Sequence, residues 1–194
     1  MANIATDGHL YQTGGTPPSI SGSTVYVTVA AANASTSVKE RAEYVCDGAA
    51  DEVQIQAALN SGKPEVVLSG GTFNIADTLT IPAGITLRGA STQTIVNRVA
   101  SAAVSNITMS GAGARLDNLK LDSDIDDAAA SVAVIDVSAN DCEISDVYIT
   151  ATNQALSIVA DDTKVYDCYL ATLDTSTAVI GIDEIGRASC RERV

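Results

Sequence analysis

A cluster of acidic residues in the middle of the chain comprises Asp122, Asp124, Asp126 and Asp127. Carboxylate oxygens are the ligands that Ca²⁺ prefers, so the cluster indicates a candidate calcium site. It does not fit the EF-hand loop. Counting from Asp122, Asp127 stands at the sixth position, where that loop needs Gly, and Ala133 stands at the twelfth, where it needs Glu. An exposed acidic loop without a metal is the simpler interpretation, and both stay open.

A second candidate is the adjacent carboxylate pair Asp161 and Asp162, with Asn140 and Asp141 earlier in the chain. Glycoside hydrolysis uses two carboxylates, one as acid and one as nucleophile or base, so such a pair is a candidate for catalysis. The competing interpretation is a hydrophilic turn, because Asn and Asp are favoured at sharp corners for backbone reasons. We favour the turn.

Tyr148 and Tyr169 are the candidate carbohydrate-binding residues. Exposed aromatic rings combine an apolar face with a polar hydroxyl and could form a platform for sugar rings. The alternative is a pair that packs across neighbouring strands and only stabilises a sheet. Both interpretations require the two residues to occupy equivalent positions in a repeat.

The elements that would position these residues are short, repeated strands. The segments 116–121, 144–149 and 165–170 share one pattern: apolar, polar or aromatic, Asn or Asp, apolar, variable, apolar. Their offsets are 28 and 21 residues, and the preceding segments around Ile107, Ile135 and Leu156 repeat with the same offsets. A period in the low twenties, with alternating apolar residues, predicts a β-solenoid of stacked coils.

The third position of each repeat predicts a sharp corner. It is occupied by Asn118, Asp146 and Asp167. Asn and Asp tolerate the left-handed backbone conformation better than other residues with a side chain. We therefore expect these three residues to stack along one corner, and we assign the seven additional residues of the longer repeat to a loop at 123–130.

With the segment 78–89, this pattern resembles the right-handed parallel β-helix proteins of the pectate-lyase-like group. The segment 44–59 resembles the entry to such domains and 66–75 their first coil, so the resemblance covers about residues 24–183. The resemblance implies an all-β fold: a right-handed parallel β-helix of about five to six coils with a short N-terminal capping α-helix. We place that helix at residues 51–60, with an apolar stripe of Ile55, Ala58 and Leu59. A cap of this kind covers the strand edges and apolar surface that a first coil exposes.

The resemblance also sets expectations about activity. Lyases of this group use Asp or Glu around Ca²⁺ and an Arg or Lys base on a neighbouring coil, which makes Arg115 a weak candidate base beside the acidic cluster. The related polygalacturonases contain a His-Gly pair and an Arg-Ile-Lys triplet. Neither occurs here, and His9 is the only His. These observations favour a chain without catalytic activity but leave open a lyase or glycoside hydrolase of this group. No cofactor is required, although Ca²⁺ could be bound.

Charge and composition limit the partners. The formal net charge is −13, which repels nucleic acid and anionic membranes, and also a polyanionic substrate unless Ca²⁺ bridges the two. The sequence has no apolar segment long enough to span a membrane and no signal peptide. Its four Cys lack metal-ligand spacing and are predicted to be free thiols.

The chain divides into a flexible arm at residues 1–23, a cap at 24–62, coils at 63–183 and a tail at 184–194. The tail breaks the alternation and reads as the translation of a common sequencing adapter, so we expect it to be non-native and the natural protein to continue with further coils. An open last coil would present unpaired strand edges. Self-association through that end is therefore predicted.

The favoured function is a non-catalytic structural or carbohydrate-adhesion module of a phage tail or microbial surface protein. Such a protein would be made in the cytoplasm and become virion-associated or extracellular after release. The alternative is a truncated polysaccharide lyase or glycoside hydrolase that acts on a uronic-acid-containing polysaccharide. The two differ in whether carboxylates and a base converge on one face of adjacent coils.

Overall fold

The computed structural model describes residues 3–4, 10–11, 25–99, 104–123, 132–151, 154–172 and 189–191. Several predictions lie outside these ranges. They concern His9, the aspartates at 124, 126 and 127 with their loop, and most of the arm and of the tail.

Within the described residues the chain is built almost entirely of short strands. In chain order the elements are β1 (Asn3–Ile4), β2 (Leu10–Tyr11), β3 (Tyr26–Ala30), α1 (Thr36–Lys39), β4 (Tyr44–Val45), α2 (Glu52–Leu59), β5 (Glu65–Leu68), β6 (Gly71–Ile75), β7 (Leu79–Ile81), β8 (Thr86–Gly89), β9 (Thr94–Arg98), β10 (Ile107–Met109), β11 (Arg115–Asp117), β12 (Lys120–Ser123), β13 (Ala133–Val137), β14 (Glu143–Ser145), β15 (Tyr148–Ala151), β16 (Gln154–Ile158), β17 (Lys164–Tyr166), β18 (Tyr169–Thr172) and β19 (Ser189–Arg191).

Strands β1 and β2 pair with each other antiparallel, and the other strands form three parallel sheets. The first sheet has the order β4-β3-β5-β8-β11-β14-β17-β19, the second β6-β9-β12-β15-β18 and the third β7-β10-β13-β16. Each coil contributes one strand to each sheet, beginning with β5, β6 and β7. The described part contains four complete coils and, in β17 and β18, the start of a fifth. The predicted parallel β-solenoid is confirmed, and the coil number is close to the expected five to six.

The strand register confirms the repeat offsets read from the sequence. Leu116 pairs with Ile144, and Ile144 pairs with Val165. In the third sheet, Ile135 lies between Ile107 and Leu156. Because each paired column keeps its side chains on one face, the apolar residues of successive coils stack inward.

The core is a set of stacked aliphatic columns. Phe73 is fully buried and begins a column that continues through Val96, Leu121 and Ile149. Burying one such side chain contributes about 1.5–3 kcal/mol to folding. The low aromatic content therefore reflects a narrow interior that branched aliphatic residues fill.

The corner between the first and second sheets confirms the predicted ladder. Asn118, Asp146 and Asp167 have φ angles of 54°, 52° and 52°, all in the left-handed region. The Asn118 backbone N–H donates to the Ser145 carbonyl oxygen at 3.1 Å, and the Asn118 side-chain amide donates to the Gly89 carbonyl oxygen at 3.1 Å. The corner residues thus hold neighbouring coils together as well as turning the chain.

Helix α2 lies over the first coil, as predicted, and buries Ile55, Ala58 and Leu59. Its polar residues bond to the backbone of that coil. The Gln56 side-chain amide donates to the Thr80 carbonyl oxygen at 3.0 Å, and its oxygen accepts from the Thr80 N–H at 2.9 Å. These bonds satisfy strand edges that no earlier coil covers.

The tail is described only at β19, which pairs in parallel with β17. This strand extends the first sheet by one position. The remaining tail residues lie outside the described ranges, and the adapter origin of the tail stays a prediction.

Candidate functional site

The two candidate tyrosines form one stacked pair on the outer face of the second sheet. Tyr148 and Tyr169 are paired in register, their ring centroids are 4.6 Å apart, and their ring planes meet at 15°. Lys120 occupies the same column one coil earlier, with its Nζ 5.6 Å from the Tyr148 ring centroid. Tyr148 is therefore flanked on both sides, and this geometry suits a pair that stabilises the sheet.

Tyr169 is the more accessible of the two tyrosines. It is 58% exposed, against 39% for Tyr148. It lies on β18, the last strand of the second sheet in the described part of the chain. One face of its ring packs on Tyr148, and the exposed part of the residue is the surface that a ligand could contact.

Of the candidate calcium ligands, only Asp122 is described. It lies on the outer face of β12, where its Oδ2 accepts a hydrogen bond from Lys120 Nζ at 3.0 Å. Within the described ranges, no three His, Cys, Asp or Glu side chains gather as metal ligands would. The calcium site thus stays a prediction that depends on residues 124–127.

Asp161 and Asp162 lie in the corner between the third and first sheets. Asp162 has φ 57° and aligns with Asp141, which has φ 60°. The Asp161 N–H donates to Asn140 Oδ1 at 3.0 Å, and the Asp141 N–H donates to the Asp161 carbonyl oxygen at 3.2 Å. Gly84 and Gly113 occupy the equivalent position in earlier coils with φ 69° and 71°. Backbone geometry therefore explains why Asp stands here.

Arg115, the candidate base, lies on the outer face of the first sheet. Its Nε is 3.8 Å from Glu143 Oε2 on the neighbouring strand. Lys164 follows Glu143 in the same column, so the strand that begins after Asp162 lies two coils beyond the strand of Arg115, with one coil between them. The ion pair of Arg115 is thus formed with Glu143 and with neither of the candidate aspartates.

Sequence reasoning missed a polar cluster around Glu143. The Tyr166 hydroxyl donates a hydrogen bond to Glu143 Oε1, and this bond raises the pKa of Tyr166. Ser145 Oγ donates to Asp117 Oδ1 at 2.9 Å. The signal was available, because alternation places both ends of each three-residue strand on the outer face. Both carboxylates already accept a hydroxyl from the next coil, so the cluster joins coils to each other.

The same pairing between coils occurs near the cap. Arg88 Nε lies 2.6 Å from Glu65 Oε1 in the first sheet. In the second sheet, the Asn97 side-chain amide donates to Asn74 Oδ1 at 3.0 Å. The outward polar side chains thus bond along the axis of the solenoid.

Two buried cysteines agree with the prediction of free thiols. Cys46 and Cys142 are buried and free. Burial, with a further contribution from Asp51 and Asp47, raises the pKa of Cys46 to about 12, and burial also raises the pKa of Cys142. Both thiols are therefore protonated at neutral pH and unsuited to nucleophilic attack.

Besides a depression of about 450 Å³ near the cap, which Tyr26, Glu43 and Tyr44 border, the described residues form two further concave surfaces. One, of about 470 Å³, lies between α1 and the outer face of the first sheet and is bordered by Tyr26, Val38 and Val67. The other, of about 370 Å³, lies at the corner of the last two described coils, where Asp146, Asp167, Cys168 and Tyr169 line it. The depression of about 370 Å³ is the one that contains a predicted carbohydrate-binding residue, Tyr169.

Replacing Asp162 tests whether the carboxylate or the backbone matters at its corner. We expect Asp162→Gly to change the free energy of unfolding by less than about 0.5 kcal/mol, because Gly adopts positive φ without strain. Asp162→Val should lower it by about 1–2 kcal/mol, because a β-branched residue is strained there. Urea unfolding measures both, and a larger loss for Gly than for Val would contradict the structural interpretation.

Comparison of the chain with protein-family models, with curated proteins and with solved structures finds no match. Among the described residues, neither helix has the length and apolar character needed to cross a bilayer.

Proposed function

We propose that the chain is a non-catalytic structural β-helix module that also adheres to carbohydrate, as part of a phage tail or microbial surface protein. The supporting observation is that the side chains on the outer faces of the sheets bond to side chains of the neighbouring coils. Ion pairs, hydrogen bonds and a ring stack join neighbouring coils in the first and second sheets. Such pairing between coils stiffens a solenoid, which suits a structural module.

The adhesion part of the proposal depends on Tyr169. A ring that is exposed on one face and held in orientation by a second ring presents apolar surface with little loss of side-chain entropy on binding. Sugar rings have apolar C–H faces that stack on such surfaces. The described part of the chain combines this ring with a neighbouring depression at one corner.

The alternative is a truncated lyase or hydrolase, and the feature that favours it is the cluster of Arg115, Asp117, Glu143 and Tyr166. Two carboxylates, a phenol and a cation lie on three consecutive strands of one sheet. We favour the scaffold because the cluster's hydroxyls and carboxylates already bond to each other. Incubation with polygalacturonate, with and without Ca²⁺, should yield no unsaturated products; their appearance would support the lyase.

Substitution of Tyr169 tests adhesion directly. We expect Tyr169→Ala to lower affinity for a bound neutral glycan about tenfold, since an aromatic stacking contact contributes roughly 0.5–1.5 kcal/mol beyond the area that it buries. Isothermal titration against a panel of neutral and acidic oligosaccharides is the measurement. Tyr26→Ala is the matched control, because Tyr26 is 42% exposed on a different sheet. The adhesion proposal fails if the unsubstituted chain binds no member of the panel, or if both variants bind equally well.

A further inference from the structure

The depression beside Tyr169 is lined by two residues with carboxylate side chains. Asp146 and Asp167 are both exposed, and both have φ 52° in the corner ladder. The Asp146 N–H donates to the Tyr166 carbonyl oxygen at 3.4 Å, which ties one coil to the next. Neighbouring strands are about 4.8 Å apart, so the backbones of the two corner residues that carry these carboxylates lie at about that spacing.

On the other side of the same depression, a ring stack holds the aromatic side chain in place. Stacking on Tyr148 at 4.6 Å holds the Tyr169 ring, and the strand of Tyr169 is the last of its sheet in the described part of the chain. A sugar ring stacked on the exposed surface of Tyr169 would have its hydroxyls at the edge of the ring, in the depression that the two aspartates also line. A volume of about 370 Å³ is within the size range of small-ligand sites.

Carboxylates select among sugars by charge. They accept charge-assisted hydrogen bonds from hydroxyl groups, which are stronger than bonds between neutral groups. The same carboxylates repel the carboxylate of a uronic acid, and the net charge of −13 acts in the same direction. Lys120 does not offset this repulsion, because its Nζ is already bonded to Asp122 at 3.0 Å.

We propose that Asp146, Asp167 and Tyr169 form a subsite for a neutral, hydroxyl-rich sugar, in which the two aspartates bind hydroxyls and reject uronic acids. This inference rests on the proposed carbohydrate adhesion. It goes further by naming the sugar class and the residues that determine specificity.

The corner ladder supplies a substitution that removes the charge without disturbing the fold. Asn118 occupies the same corner two coils before Asp167 and has φ 54°. Asp→Asn at the corner should therefore keep the left-handed backbone and the side-chain size. Asp141→Asn is the matched control, because Asp141 is also exposed and left-handed but lies on a different corner.

The experiment compares binding of cellohexaose, maltohexaose and mannohexaose with binding of hexagalacturonate by isothermal titration. Each probe is measured with the unsubstituted chain, the double variant Asp146→Asn/Asp167→Asn, both single variants and Asp141→Asn. For the double variant we expect a tenfold or greater loss of affinity for the neutral probe that binds best, and a tenfold smaller preference over hexagalacturonate. Asp141→Asn should change neither. Thermal unfolding followed by circular dichroism shows whether each variant is folded. If the double variant is misfolded, the affinities of the two single variants are compared instead.

The alkylation rate of Cys168 is an independent measure of where the sugar binds. Cys168 lines the depression, whereas Cys46 and Cys142 are buried. In a Cys190→Ser background, a saturating neutral oligomer should slow alkylation of Cys168 at least fivefold, as measured by mass spectrometry. Unchanged alkylation at saturation would place the sugar elsewhere and overturn the inference.

The outcomes separate the two proposals. If Tyr169→Ala weakens binding while the double variant keeps the affinity and preference of the unsubstituted chain, the subsite inference is wrong and adhesion stands. Preference for hexagalacturonate by the unsubstituted chain would also overturn the inference alone. Absence of binding to every probe would overturn both.

Discussion

Gly111→Ala should lower the free energy of unfolding by more than about 3 kcal/mol, or prevent folding. A Cβ atom on Gly111 would lie 2.0 Å from the Ala83 backbone nitrogen and 2.4 Å from the Pro82 carbonyl carbon. These atoms belong to the backbone of the preceding coil, which strand pairing holds on both sides. The clash therefore cannot be relieved by rotating a side chain, and neighbouring coils would have to separate.

Gly70→Ala is the matched control for this substitution. Gly70 also lies in a corner, but a Cβ there would meet no atom within 4 Å. We expect a change of less than about 0.5 kcal/mol, or a small gain from reduced freedom of the unfolded chain. Urea unfolding followed by circular dichroism compares the two variants. Similar midpoints for Gly111→Ala and Gly70→Ala would show that the coils can move apart at little cost.

A second close contact extends the test. At Gly89 a Cβ would lie 2.3 Å from the Asn118 carbonyl oxygen and 2.9 Å from the Leu119 Cβ. Gly89→Ala should therefore be destabilising as well, at the opposite corner of the coil. If both substitutions lower the free energy of unfolding strongly, close packing between coils determines stability at more than one corner, and the effect does not belong to a single turn.

The sequence predicts the fold well because each coil repeats two kinds of position: apolar residues that are buried in the core, and Asn or Asp residues that form the corners. Leu116, Ile144 and Val165 align at the offsets of the repeat, and the strand pairings reproduce those offsets. Asp146 and Asp167 mark a corner because few residues with side chains tolerate positive φ. Both signals depend on local chemistry, so they can be read without knowing the path of the chain.

The outer surface is harder to predict, because its pairing depends on register and side-chain conformation together. Glu143 could bond to Arg115, Lys164 or Tyr166, and only the structure shows that it contacts Arg115 and Tyr166. The two tyrosines were expected to align, yet the alignment alone does not distinguish a platform from a face-to-face stack. The close approach at Gly111 likewise depends on the curvature of the corners, which short segments do not encode.

Asp51 shows the same difference between local and tertiary roles. The sequence places it in the first turn of α2, where the helix dipole favours an acid. The structure instead buries it completely, just before the helix, without a side-chain capping bond to that helix. Its Oδ1 accepts from the Gly48 N–H at 2.8 Å and its Oδ2 accepts from the Asn74 N–H at 2.8 Å. The carboxylate thus joins the cap to the first strand of the second sheet.

Asp51→Ala should lower the free energy of unfolding by about 3–5 kcal/mol. Hydrogen bonds to a charged group contribute about 1.5–3 kcal/mol each, and the substitution leaves the Gly48 and Asn74 N–H groups without their acceptor. Asp51→Asn should cost less, because the amide oxygen can still accept one of the two bonds. Asp47→Ala is the control, since Asp47 is exposed and its Oδ1 accepts from the Ala49 N–H; we expect a loss of less than about 1 kcal/mol.

Loss of the Asp51 bonds should also change how the chain associates. The cap is held to the first coil by Asp51, by Glu52, which accepts from the Ala76 N–H at 3.0 Å, and by the two bonds of Gln56. If the cap detaches, the edges of β6 and β7 lose these partners, and exposed parallel edges pair with other chains. Light scattering of Asp51→Ala below its unfolding midpoint should show larger particles than Asp47→Ala at equal concentration. A destabilised variant that stays the same size as the control would mean that the cap adds stability without protecting the strand edges.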